Sequence, residues 1–122
     1  MTASNANDAV VSTTSISVRP ENKKELCLTV ASLLNPIRRE AGCLAYRFYA
    51  EAGDENSFLL MGEWENREAL NQHLESKNFA ILMGSITLLA KVSTVDFKLL
   101  SEFSGRHVPR RIRTEMKEAL YA

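Results

Sequence analysis

The feature that most limits what this chain can become is a pair of strand-like runs, residues 43–51 (CLAYRFYAE) and 58–65 (FLLMGEWE). They flank a turn-rich stretch at 52–57 (AGDENS), and that arrangement predicts a β-hairpin. Side chains alternate across a strand, so Leu44, Tyr46, Phe48 and Ala50 share one face of the first run. Phe58, Leu60, Gly62 and Trp64 share one face of the second, leaving Leu59 and Met61 on the other. An antiparallel sheet with one wet face keeps its large apolar residues to the dry side. Here both sides carry them, so the second face is expected to be covered.

The flanking segments supply the other elements. Residues 10–19 (VVSTTSISVR) are rich in β-branched side chains and predict a strand, with Val10, Ile16 and Val18 on one face and Ser15, Ser17 and Arg19 on the other. Pro20 ends it. Asn22 and Glu25 have the spacing of a capping box, opening a helix whose Leu26, Val30, Leu33, Leu34, Ile37 and Ala41 form one apolar face. Pro36 predicts a kink in that helix, and Gly42 a left-handed stop. Asn66 can cap a short helix over 67–75 that turns Ala69, Leu70, His73 and Leu74 inward. Residues 78–91 carry Phe79, Leu82, Met83, Ile86 and Leu89 on one face, with Ile81 and Leu88 off it. A helix apolar almost all round is usually buried on more than one side. Residues 93–100 (STVDFKLL) predict the last strand, with Val95, Phe97 and Leu99 inward.

The order is β-α-β-β-α-β, which predicts an α+β, ferredoxin-like antiparallel sheet with helices on one face. The doubly apolar hairpin and the all-round apolar helix both call for a second copy, and a twofold homodimer with sheets packed face to face would satisfy both.

At 122 residues the chain has room for one domain, read as residues 9–104, with a loose leader at 1–8 and a basic, helix-forming tail at 105–122. Lys plus Arg balances Asp plus Glu at 15 each, but the tail carries +3 and the rest −3. The balanced total argues against nucleic acid or an acidic membrane as partner. Pro109 breaks the tail, and a short helix lying against its own dimer or a neighbouring subunit is the plainer role for it. The polar start is unlike a signal peptide, no apolar run reaches the ~18 residues of a membrane span, and Cys27 and Cys43 form neither a disulfide framework nor a zinc motif. The expectation is a reduced, cytoplasmic protein without metal or cofactor. An RNA-recognition sheet needs paired aromatics, and the first strand has none.

The hairpin and its surroundings are more specific. Pro36, the run Arg39-Glu40-Ala41-Gly42-Cys43-Leu44-Ala45-Tyr46, the run Phe58-Leu59-Leu60-Met61-Gly62-Glu63-Trp64, then Ala69-Leu70-Asn71-Gln72-His73-Leu74 and Phe79 follow in order. That series resembles the antibiotic biosynthesis monooxygenase family over roughly residues 10–103. The resemblance implies a dimeric α+β barrel with a hydrophobic pocket between sheet and helices. It further implies a cofactor-independent monooxygenase acting on a small aromatic phenol or quinol. In such chemistry a base removes a phenolic proton and the anion itself reduces dioxygen. The chain departs from the family's oxygenases in carrying Ser15 and Ser17 where they place an asparagine on the first strand. It departs from the haem-degrading branch in carrying Met83 where that branch has a ligand histidine, and it has Asn78 where many relatives carry a second histidine.

Two candidates for the chemistry emerge. His73 has a side chain whose ordinary pKa near ~6.5 suits a general base, although a hydrogen-bonded core histidine has the same pattern. Trp64, the single tryptophan, can wall a pocket and offer its indole N–H to a substrate oxygen, or simply fill the core. Tyr46, Phe48, Leu60, Phe79 and Met83 are the candidate substrate-binding residues. A dimeric barrel that binds an apolar metabolite without catalysis, or serves as a stress-related accessory protein, is the alternative reading.

Overall fold

A computed structural model describes residues 8–99, with side chains as far as residue 92. The expected tail helix, the leader before Asp8 and the inward placement of Val95, Phe97 and Leu99 lie outside the described residues. Four strands form one antiparallel sheet: β1 (Val10–Val18), β2 (Cys43–Glu51), β3 (Asp54–Trp64) and β4 (Ala90–Leu99), in the order β2-β3-β1-β4. Helices α1 (Lys23–Arg38), α2 (Arg67–Leu74) and α3 (Lys77–Leu89) complete the α+β, ferredoxin-like fold.

The core lies between helices and sheet. From β1 and β3 come Val10, Ile16, Val18, Phe58, Leu60 and Trp64, and these meet Leu26, Val30 and Ile37 of α1 and Leu82 and Ile86 of α3. On the opposite face Val11, Thr13 and Leu59 are buried and Met61 is half-buried. Helix α3 is not enclosed within one chain: Ile81 and Leu88, the residues off its inner face, are exposed.

Several local expectations are corrected. The hairpin turn is shorter than expected, because Glu51 already pairs with Asp54 and leaves Ala52 and Gly53 as the connection, with Gly53 at φ 101°. At the other end of β2, Cys43 pairs with Trp64 while Ala45 pairs with Glu63. Leu44 is therefore the extra residue of a bulge, and it is 57% exposed instead of sharing the inner face with Tyr46. Asn22 does not cap α1. Pro20 opens a 3₁₀ turn over Pro20–Asn22, so Asn22 already has helical torsions, and its Nδ2 donates to the Leu89 carbonyl at the end of α3 (3.2 Å). Pro36 falls in the last turn of α1, which stops at Arg38 instead of continuing to Ala41. Gly42 does adopt positive φ (78°), but in the turn entering β2. β4 starts at Ala90, straight after α3, because pairing with β1 extends back to Val18.

Candidate functional site

Helix α2 is placed by its cap: the Asn66 side chain accepts from the Ala69 N–H at 2.9 Å. One turn on, that helix directs His73 down onto the sheet, where the imidazole is only 3% exposed. It stacks on Trp64 at the end of β3, with centroids 4.3 Å apart and planes at 25°. Tyr46 of β2 (5.7 Å) and the edge-on ring of Phe79 from α3 (5.1 Å) complete the enclosure. Tyr46 also meets Trp64 edge-on at 6.2 Å. Four sequence-predicted residues, Tyr46, Trp64, His73 and Phe79, thus form one aromatic cluster. Phe48 lies one inward step along β2, stacked on Phe58 instead (5.1 Å); Leu60 is in the main core and Met83 is half-buried against it.

Three residues to which the sequence assigned no site role, Glu40, Ser12 and Gly62, shape this cluster. Glu40, in the turn between α1 and β2, brings Oε1 to 2.7 Å from His73 Nδ1, and its side chain is only 16% exposed. Its Oε2 accepts from Asn78 Nδ2 at 2.8 Å. Ser12 on β1 accepts the indole N–H of Trp64 at 3.2 Å, so the donor expected to be available to a substrate already has a partner within the chain. Gly62 faces the same spot: a Cβ there would stand 2.8 Å from Ser12 Oγ, 2.8 Å from Trp64 Nε1 and 2.9 Å from Tyr46 Cδ1.

The electrostatics follow from burial. Burial pushes the His73 pKa below its ordinary 6.5, against the opposing hydrogen bond and charge of Glu40, so the imidazole is neutral at pH 7. Burial, with the charge of Glu40 beside it, drives the Tyr46 hydroxyl well above the usual phenol range. Tyr46 is therefore a neutral phenol at pH 7 and cannot serve as a base, which leaves His73 as the cluster's proton acceptor. A groove of about 350 Å³ opens along edge strand β2, lined by Arg38, Cys43, Leu44, Ala45, Tyr46 and Arg47. Of the cluster, Tyr46 alone lines it. Arg38 Nε donates to the Tyr46 carbonyl at 2.8 Å, covering part of that open edge. Among the described residues no group of three or more His, Cys, Asp or Glu is arranged to hold a metal ion, and no helix is long and apolar enough to cross a membrane.

The antibiotic biosynthesis monooxygenase family matches residues 9–82, a span that takes in the whole cluster. The chain belongs to this family. It is 34% identical over 98 residues to the uncharacterized protein sll1783 of Synechocystis sp., covering 80% of this chain and 67% of that one. Among solved structures, PA3566 from Pseudomonas aeruginosa superposes with a TM-score of 0.69 at 22% identity, over 79% of this chain and 97% of its own. A structure described as an antibiotic biosynthesis monooxygenase gives 0.67 at 24% identity, over 82% and 99%. At these identities the structural matches speak for the fold, and the family match carries the resemblance from the hairpin motifs to residues 9–82.

Proposed function

We propose that this member of the antibiotic biosynthesis monooxygenase family is a cofactor-independent monooxygenase acting on a small aromatic phenol or quinol, working as a homodimer. The observation that carries the reading is the Glu40–His73 hydrogen bond inside an aromatic cluster. Burying an imidazole and a carboxylate costs desolvation that an apolar pair would not incur. Their retention suits a site that must take a proton from an apolar substrate in dry surroundings.

His73 removes a proton from the substrate, and the resulting anion supplies electrons to dioxygen. For an anthrone, the ring methylene becomes a carbonyl, one oxygen atom enters the product and the other leaves as water, so no outside reductant is consumed. Trp64, Tyr46 and Phe79 provide flat apolar walls suited to an aromatic ring, with Phe48, Leu60 and Met83 further along the same layer.

One observation favours the second reading, a non-catalytic barrel that binds an apolar metabolite. The rings of Trp64, Tyr46 and Phe79 surround His73 and leave it 3% exposed, as in a core histidine held for architecture. Oxygen uptake separates the two. With anthrones and dihydroxynaphthalenes, wild-type protein is expected to give saturable uptake above autoxidation, reduced about 10²-fold or more in His73→Ala and more modestly in Trp64→Phe. Uptake that is equal in wild type and folded His73→Ala would remove His73 from the chemistry and favour the binding barrel.

A further inference from the structure

The imidazole of His73 has two nitrogens, and which one carries the proton decides which can accept one. Nδ1 lies 2.7 Å from Glu40 Oε1. An ionised carboxylate only accepts hydrogen bonds, so the proton between them belongs to Nδ1 and the lone pair of the neutral ring is on Nε2. The carboxylate is itself held. Its Oε2 accepts from Asn78 Nδ2 at 2.8 Å, and the Ser76 hydroxyl lies 3.4 Å from the same oxygen. That hydroxyl has one hydrogen, committed to the His73 carbonyl at 2.6 Å, so Asn78 is the principal clamp. The Glu40 backbone is fixed on both sides as well, its N–H donating to the Ile37 carbonyl (3.0 Å) and its carbonyl accepting from the Cys43 N–H (3.1 Å). A group needed only to fill space would not require this many constraints.

We infer that Glu40 is a positioning residue that fixes the tautomer and ring orientation of His73, leaving Nε2 as the proton-accepting atom. The inference deepens the reading of His73 as a base and rests on it for any catalytic consequence, while the tautomer itself is a property of the folded protein. Around the imidazole stand Glu40 from the α1–β2 turn, Tyr46 from β2, Trp64 from β3 and Phe79 from α3. Tyr46 is uncharged at neutral pH, so among the described residues Glu40 is the charge that acts on the ring.

Long-range ¹H–¹⁵N correlation spectra of ¹⁵N-histidine-labelled full-length protein read the tautomer directly. The chain has two histidines, and His107 serves as the internal comparison. At pH 7.5 wild-type His73 is expected to show a protonated Nδ1 and an unprotonated Nε2. Glu40→Gln retains an acceptor and should keep that tautomer, but with the charge gone the His73 titration moves to lower pH. Glu40→Leu should shift the neutral ring towards the Nε2–H form. Where oxygen uptake is measurable, the acid limb of its pH profile should move down with the His73 titration in Glu40→Gln, and kcat should fall at least tenfold in Glu40→Leu. A wild-type ring protonated on Nε2, or a titration unchanged in Glu40→Gln, would overturn the inference; the second result remains decisive if Glu40→Leu does not fold. The expected tautomer without any oxygen uptake would uphold the role of Glu40 and count instead against the monooxygenase reading.

Discussion

At the scale of single residues, the cluster is assembled by side chains whose partners are remote in sequence. His73 was open to inspection as the one histidine on an inward helical face, and Trp64 as the aromatic end of an alternating strand. Glu40 was not, because its partner is 33 positions away and nothing local marks an acid in a turn as one that will be half-buried. Ser12 is 52 positions from Trp64 and looks like any small polar residue on a strand. Gly62 lies in the aligned motif run, but its reason is steric and appears only once β1, β2 and β3 are side by side: Ser12, Tyr46 and Trp64 occupy the volume a methyl would need. Because two of those neighbours are buried rings with little freedom to retreat, Gly62→Ala should cost about 1–3 kcal/mol of stability. Urea denaturation followed by the fluorescence of the single tryptophan measures it, and an unchanged midpoint would mean the rings yield more easily than their burial implies.

At the scale of elements, signals that depend on near neighbours were readable and those that depend on tertiary pairing were not. The Asn66 cap of α2 was legible, since an Asn before a helical apolar pattern has one obvious use, and its side chain does accept from Ala69. The Asn22 cap of α1 had the same appearance and failed, because Pro20 starts the helical turn earlier and frees Asn22 to reach the end of α3. The hairpin was legible as a whole, but its shortened turn, the Leu44 bulge and the early start of β4 are set by register with a neighbouring strand. The cap of α3 was missed: Ser76 Oγ accepts from the Phe79 N–H at 3.1 Å and also lies close to Glu40. Asn66→Ala should cost about 1 kcal/mol through loss of the cap. Ser76→Ala should cost a similar amount, and it removes a neighbour of the Glu40 carboxylate as well. Because its hydroxyl lies beside Glu40 and bonds the His73 carbonyl, Ser76→Ala alone of the two should also perturb the His73 ring signals. Equal perturbation by both would show that the ring responds to helix fraying in general.

At the scale of the whole molecule, the proposed dimer and the pH limits of the fold are the properties to test. Face-to-face packing of two sheets would use the side of β1 and β3 that bears Thr13 and Met61, which are register partners. Sedimentation should then give twice the 13.7 kDa chain mass. Met61→Arg should return it to one chain. The pH limits follow from the same buried cluster that carries the candidate chemistry. His73 has a folded-state pKa below its ordinary 6.5. As pH falls through about 6.5 the unfolded chain therefore takes up a proton that the native chain does not, and stability declines until the native imidazole is protonated too. Tyr46 works in the opposite sense. Its folded-state pKa is raised above the ordinary 10.0, so above that pH the unfolded chain loses a proton the native chain retains, and stability declines again. Cys43, whose thiol is pushed up by burial and by Glu40, adds to the alkaline side. Urea midpoints measured from pH 5 to 11 should thus form a plateau between about 6.5 and 9, with the Cys43 decline setting in first and that of Tyr46 joining it above about 10. Tyr46→Phe should flatten the alkaline decline. Glu40→Gln should steepen the acid one, since it removes the group that favours the charged imidazole and so widens the gap between folded and unfolded titrations. An acid edge unchanged in Glu40→Gln would place its origin in other groups and break the link drawn between the Glu40–His73 pair and the stability of the fold.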